Sequence, residues 1–405
     1  MTLAPGPLQE PTIAVKSAHS PGKLLSFGGV LLVLGSVAVS LILGETALRL
    51  GGYDEKGKVH LNAFTEYDPT LGWRTRRNSS TEFVTSEYKT TLQYGPTGLR
   101  GPVQGTPGYA KSANVSRIVV LGDSFVDGFT VPLQDRVTEV MTGLLPNYEV
   151  INLGVSGYST DQELLMLEQE GWKYQPDLVV LFFYFNDIWM NGDRLLSGAT
   201  EKPFFNIDEN GDLVLKNVPV PRPVPALEER SKLYALVRAA IKSRPWLYTK
   251  ASSALGHRTP PPLTSPMPAG AGGTADQFKV YKKTETPELK IRWTITQALL
   301  RQMNQESRQR GSRFVVFYVP TRIELSSIEW DSDHIPPEFD PRQVSMKIAR
   351  ICGEEQIPFI DPSSRFREAT MQGPLYYKHD VHWNSAGHHL AAKILAEYVR
   401  NSQEH

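Results

Sequence analysis

Arg117-Ile-Val-Val-Leu121-Gly122-Asp123-Ser124-Phe125 decides the fold. An apolar run of strand length stops at a glycine, and a serine follows where the chain must turn. Outward from it the same pattern repeats. Tyr148-Glu-Val-Ile-Asn152 reads as a second strand. Asp177-Leu-Val-Val-Leu-Phe-Phe183 reads as a third, apolar without alternation, which suits a parallel sheet covered on both faces. Between them Thr160 with Glu163 makes a capping box ahead of Leu164, Leu165 and Leu167, and predicts a helix start. Arg313-Phe-Val-Val-Phe-Tyr318 and Ile357-Pro-Phe-Ile360 add two strands. The stretch 288–310 and the segment after Asn384 read as helices, the latter with Leu390, Ile394, Leu395 and Tyr398 on one stripe. Together they predict an α/β sandwich built on about five strands.

An insertion at about 190–287 separates the third strand from the later half. It holds a hairpin turning at Asn210-Gly211, between Phe204-Phe-Asn-Ile207 and Leu213-Val-Leu215. A helical stretch follows at about 227–242, then His257 to Gly273, rich in Pro and Gly, which reads as a mobile loop. Ahead of the first strand, 45–110 reads as an N-terminal extension packing on the domain at 111–403. Within it Thr81 to Tyr94 predicts a short β pair.

The chain has 405 residues, 40% of them hydrophobic, with 43 basic and 43 acidic side chains. That share builds a core, and the balanced charge offers no field to attract nucleic acid. A lone cysteine, Cys352, excludes an internal disulfide framework and a thiolate zinc site. Residues 1–23 read as a flexible tail. Leu24 to Gly44 carries no charge and is about 21 residues long, enough to cross a bilayer as one helix. A cleaved signal peptide is the competing reading. The long preceding segment and the lack of a clear A-x-A favour an uncleaved anchor. Ser36, Ser40 and Gly44 form a small-residue row able to pack two such helices.

Three strand ends carry candidate chemistry. Ser124 sits on a tight strand-to-helix turn at the carboxyl edge, where α/β sheets place their ligands, though Gly-Asp-Ser is also a common plain turn. The second strand ends in Asn152-Leu-Gly-Val-Ser-Gly157, and the third in Phe185-Asn186-Asp187. The N–H groups of Ser124 and Gly157 and the amide of Asn186 therefore form a candidate oxyanion hole. A serine hydroxyl needs a base, and near pH 7 that base is a histidine held by a carboxylate. His379-Asp380-Val381-His382-Trp383-Asn384 supplies both. His388 and His389 fall inside the last helix, and His379 precedes the carboxylate, which leaves His382 as base and Asp380 as its partner.

These four segments, in this order, resemble the SGNH (GDSL) hydrolase superfamily over about 116–190 and 310–400. The resemblance implies a flavodoxin-like three-layer α/β/α sandwich and hydrolysis of esters without metal or organic cofactor. It places the nucleophile on Ser124, the oxyanion donors on Ser124, Gly157 and Asn186, and the dyad on Asp380 and His382. Two blocks depart from the family pattern. Gly-x-Asn-Asp is here Tyr184-Phe185-Asn186-Asp187, which narrows the expected acyl pocket. Asp and His, usually separated by two residues with Pro following, are here separated by one, Val381, with Trp383 following. That pattern is similar to enzymes of bacterial polysaccharide O-acetylation, in which, however, it precedes the serine. The expectation is a membrane-tethered serine esterase outside the cytoplasm, removing small acyl groups from envelope glycans. The alternatives are an O-acyltransferase using the same triad, and a glycan-binding or assembly module.

Overall fold

The computed structural model describes residues 27–51, 64–101, 108–196, 200–223, 231–242, 277–325 and 337–402. The expected tail at 1–23 and loop at 257–273 lie outside these residues. The chain divides into two compact units, one from 1–55 and 225–251, the other from the remainder.

The first unit holds α1 (Phe27–Leu50). The second opens with two antiparallel hairpins, β1 (Thr65–Asp68) with β2 (Gly72–Thr75) and β3 (Ser79–Val84) with β4 (Lys89–Tyr94). Then come β5 (Ser116–Leu121), α2 (Ser124–Asp127), α3 (Val137–Leu144), β6 (Tyr148–Asn152), α4 (Thr160–Gln169), β7 (Leu178–Phe183) and α5 (Phe185–Met190). Two hairpins follow, β8 (Leu195–Leu196) with β9 (Thr200–Glu201) and β10 (Phe204–Ile207) with β11 (Leu213–Lys216). The second of these is the hairpin expected around Asn210-Gly211. After α6 (Lys232–Lys242), which belongs to the first unit, the chain forms α7 (Pro287–Gln309), β12 (Arg313–Tyr318), α8 (Arg322–Leu325), α9 (Gln343–Glu354), β13 (Phe359–Ile360), α10 (Ser363–Thr370) and α11 (Ser385–Asn401).

β13-β12-β7-β5-β6 form one parallel sheet. Each residue of β7 is buried, as a central parallel strand requires. In chain order the sheet reads 2-1-3-4-5, the flavodoxin-like arrangement, so the winding reverses direction between β5 and β7. Right-handed crossovers then place α3 on one face and α4, α7 and α9 on the other, and α11, which follows the last strand, joins α3. The packing of α3 on α11 and of α4 on α7 agrees with this. The crevice of such a sheet opens at the carboxyl ends of the strands on either side of the reversal.

One expectation is corrected. The helix at Thr160 does start there, but Thr160 and Glu163 do not form its capping box. Ser159 is the cap residue, Thr160 donates instead to Asp187 Oδ2 at 3.3 Å, and both carboxyl oxygens of Glu163 are buried without a partner. Burial first, then the nearby Asp187, Asp123 and Asp161 carboxyls, push Glu163 well above the usual carboxylate range. Glu163 is therefore a core side chain facing other carboxyls, where burial favours its protonated form, and not a reaching surface glutamate.

α1 runs six residues past the uncharged stretch, and its segment Gly28–Leu50 is 23 residues long and apolar enough to span a membrane. At 1.5 Å per residue that is roughly 34 Å, against a hydrocarbon core of about 30 Å. Its end is tied to α6. The Glu45 carboxylate accepts from Ser231 Oγ at 2.8 Å and from the N–H groups of Lys232 and Leu233 at 3.0 and 2.9 Å, capping α6. Leu233 lies 3.7 Å from where a Cβ on Gly44 would stand. An intrachain helix therefore occupies the last position of the small-residue row.

Glu324, in α8, is buried and accepts hydroxyl protons from Tyr281 and Tyr318 at 2.5 Å each. Burial pushes its carboxyl from 4.5 up to about 7, only partly offset by those two bonds. A folded-state value above the unfolded one means the native protein holds the extra proton between these limits. Stability contributed by Glu324 is therefore full below pH 4.5 and lost as pH rises toward 7. Asp123, raised by burial to about 6, acts with the same sign. We expect melting temperature to fall across this range, and Glu324→Gln, which mimics the protonated acid, to flatten the slope. A variant whose slope matched wild type would remove Glu324 from the explanation.

Candidate active site

The geometry starts from Gly122. A Cβ there would lie 2.5 Å from Val126 Cγ2 and 3.0 Å from Phe182 Cβ, so the chain turns this tightly only with glycine. Asp123, fully buried, accepts the Phe125 N–H at 2.9 Å and caps the short α2. From Arg117 to Val131 Ser124 alone is not buried. The same holds for Gly157 between Ile151 and Leu167, and for Asn186 between Leu178 and Ile188. Each of the three strand ends thus offers solvent one position, and in each it is the candidate site residue.

Gly157 has φ +83°, a conformation that side-chain-bearing residues avoid. Its neighbours hold it from both sides. Ser156 Oγ donates to Asp127 Oδ2 at 2.5 Å, its carbonyl accepts from Trp73 Nε1 at 3.0 Å, and Tyr158 donates to the Trp73 carbonyl at 2.5 Å. Asn186 is the second residue of α5, with its Oδ1 buried and without a hydrogen-bond partner among the described residues. The turn after β7 is capped instead by Asp187, whose Oδ2 accepts the Tyr184 N–H at 3.3 Å. Tyr184, standing where the family pattern has glycine, is buried, its ring 4.7 Å from that of Phe125.

The last block comes to Ser124 from 258 residues away. His382 Nε2 is 2.7 Å from Ser124 Oγ, and His382 Nδ1 is 2.5 Å from Asp380 Oδ1. The His382 N–H also donates to Asp380 Oδ1 at 3.0 Å. Phe125 and Phe129 flank the imidazole, each ring centroid 5.0 Å away. Beneath it Trp383 is wholly buried against Phe125, Phe182, Phe366 and His388. Truncating a side chain buried like this costs about 3–5 kcal/mol, so the residue after His382 anchors the loop in the core. Burial opposes ionisation of Asp380, but the bonds from His382 and Tyr88 outweigh it and hold the carboxyl well below its usual range. His388, by contrast, is buried and pushed down to about 3, first by burial and then by the charges of His382 and Arg136. It is a neutral core residue, while His389 bonds Asp135 at 3.2 Å. His379 is exposed, and its own N–H donates to Glu87.

The sequence reading missed two contributors from the hairpin β3–β4. Tyr88 donates its hydroxyl to Asp380 Oδ2 at 2.7 Å. Glu87 accepts the N–H groups of Lys378 and His379 at 2.7 and 2.9 Å. Nothing in Thr85-Ser86-Glu87-Tyr88 marks it as part of a site. Trp73, which holds the Gly157 loop, was equally silent.

The profile of the GDSL-like Lipase/Acylhydrolase family matches residues 120–390, two-thirds of the chain. No protein of curated function matches it. Among solved structures, the acetyl xylan esterase AlAXEase is 15% identical, with 70% of this chain and 99% of that one covered and a TM-score of 0.38. Axe2, an acetylxylan esterase from Geobacillus stearothermophilus, is 14% identical, with 71% and 96% covered and a TM-score of 0.37. A member of the lipolytic protein G-D-S-L family from Veillonella parvula is 15% identical, with 70% and 97% covered and a TM-score of 0.35.

Proposed function

The chain belongs to the GDSL-like lipase/acylhydrolase family and is an ester-bond hydrolase, and from that premise we propose that it works as a serine esterase through Ser124, His382 and Asp380. The observation that carries this is the unbroken line from Ser124 Oγ to His382 Nε2 at 2.7 Å and from Nδ1 to Asp380 at 2.5 Å. Ser124 Oγ attacks the ester carbonyl carbon as His382 Nε2 takes its proton. Asp380 fixes the tautomer and stabilises the imidazolium. The N–H groups of Ser124 and Gly157 and the Asn186 amide receive the oxyanion. His382 returns the proton to the leaving alcohol, and water, activated by the same base, releases the acid. A fluorophosphonate probe tests the first step, because only an activated serine reacts. Labelling at Ser124 supports the proposal, and an unlabelled, active enzyme ends it.

The substrate we propose is a small acyl ester on a cell-envelope glycan. Tyr184, packed on Phe125 in place of a glycine, favours a short acyl group. Turnover of p-nitrophenyl esters should therefore fall from C2 toward C12. The Asp380-Val381-His382-Trp383 pattern favours a second reading, transfer of the acyl group to a sugar hydroxyl by the same atoms. Acylated product formed from an added glycan acceptor distinguishes it from hydrolysis.

We place this enzyme on α1, uncleaved, with the hydrolase unit outside the cytoplasm. The support is that the apolar run continues without a break as one helix to Leu50, and that Glu45, directly after the run, caps α6 within the same unit. Each Leu, Ile or Val also favours the bilayer by up to ~0.6 kcal/mol at the helix centre. A C-terminal alkaline phosphatase fusion should be active and a green fluorescent protein fusion exported by the same route dark. The reverse pattern would put the unit in the cytoplasm, and release by carbonate would indicate a cleaved signal peptide.

A further inference from the structure

The last block is one residue shorter between Asp380 and His382 than the family pattern, so its loop has less chain with which to set the carboxylate. What holds it comes from outside the matched region. The tip of hairpin β3–β4 reaches across to the loop, and three independent contacts join them. Glu87 grips two consecutive backbone N–H groups, those of Lys378 and His379, at 2.7 and 2.9 Å. The Tyr88 ring lies 4.6 Å from that of Tyr377 and 5.8 Å from that of Phe83. The Tyr88 hydroxyl donates to Asp380 Oδ2 at 2.7 Å, the oxygen His382 does not use. The hairpin itself is rooted in a small core of Phe64, Phe83, Leu92, Tyr94 and Phe129, and Phe129 also touches the His382 ring. Thr90 Oγ1 adds a bond to the Phe129 carbonyl at 2.6 Å.

We infer that the N-terminal extension supplies the fourth member of the relay, with Tyr88 the positioning residue of Asp380 and Glu87 the clamp on its loop. This rests on the Ser124–His382–Asp380 reading. The carboxylate must present one oxygen to Nδ1 in a fixed plane. Its Oδ1 takes two donors from His382, and Oδ2 takes one from Tyr88. Without the Tyr88 hydroxyl the carboxylate is held through Oδ1 alone and can rock about its last torsion. Its charge is also no longer shared with a phenol, so it stabilises the imidazolium more strongly. Geometry worsens while basicity rises, a combination that a purely structural contact does not give.

The other charged and titratable groups facing this pair are Asp123 at the end of β5, His388 on α11, and Tyr377 and Glu87 beside Asp380. None changes in Tyr88→Phe, which keeps the ring and its stacking. In the full-length protein this variant should lower kcat on p-nitrophenyl acetate by ~10-fold or more, with KM within about twofold. Its melting temperature should stay near wild type. The acid limb of kcat/KM should move up by as much as about one pH unit, the reach of one hydrogen bond. In an Asp380→Asn background the same change should have no further effect on kcat, because the two groups act as one. Glu87→Ala should lower kcat and, because it removes a negative charge beside the pair, move the acid limb down if it moves at all, opposite to Tyr88→Phe. Wild-type kcat and an unmoved acid limb in Tyr88→Phe, with Ser124→Ala inactive, would overturn the positioning role and leave the triad standing. Full turnover in Ser124→Ala would remove the triad, and this inference with it.

Discussion

Ser124→Ala is expected to remove at least ~10³-fold of ester turnover while leaving the melting temperature within error. The side chain is partly exposed at the head of α2, and the turn that carries it is set by Gly122 and the Asp123 cap. Neither depends on the hydroxyl, so folding loses little. On the proposed mechanism the reaction loses its attacking oxygen. What remains is catalysis by the oxyanion donors on water, which in comparable sites still exceeds the uncatalysed rate by about 10³–10⁴. Esters with good leaving groups should thus show a small residual rate. Near wild-type rates in a purified, correctly folded variant would mean that another group attacks the ester.

Asn186→Ala is expected to cost roughly 10²–10³ in kcat, about 3–4 kcal/mol, with KM little changed. A donor aimed at the oxyanion matters only once that charge forms, so binding of the ground state is spared. The rival view is that Asn186 merely caps the turn after β7, in which case its loss would cost about 1 kcal/mol of stability. The structure weighs against that view. Asp187 makes the capping bond, and Asn186 Oδ1 is buried without a partner among the described residues. Removing an unsatisfied buried oxygen should leave the melting temperature unchanged or slightly raised. A variant that melted early and turned over normally would assign Asn186 to the turn.

The strands were legible because parallel strands buried on both faces leave an unmistakable apolar run, as in Leu178–Phe183. The site blocks were legible because each lies within a few residues of a strand or helix boundary, where Gly, Ser and Asn have local reasons to occur. Thr160 and Glu163 misled for a related reason: a capping pattern looks the same whether the glutamate is solvated or, as here, buried among carboxyls. Tyr88 and Asp380 stand 292 residues apart, and the tip carrying Tyr88 has no pattern of its own. The bond between Glu45 and Ser231 spans 186 residues and was hidden likewise. Long-range polar contacts made by single side chains leave no periodicity to read.

The 258 residues between Ser124 and His382 bear on how such a chain is made. Synthesis delivers the proposed nucleophile well before its proposed base. His382 then reaches Ser124 only when α11 has folded back onto α3. Until then a nascent chain carries, on the proposed mechanism, a serine with nothing to activate it. On the proposed mechanism, chains stalled or clipped before residue 382 are silent, so reactivity at Ser124 would report that synthesis has passed His382.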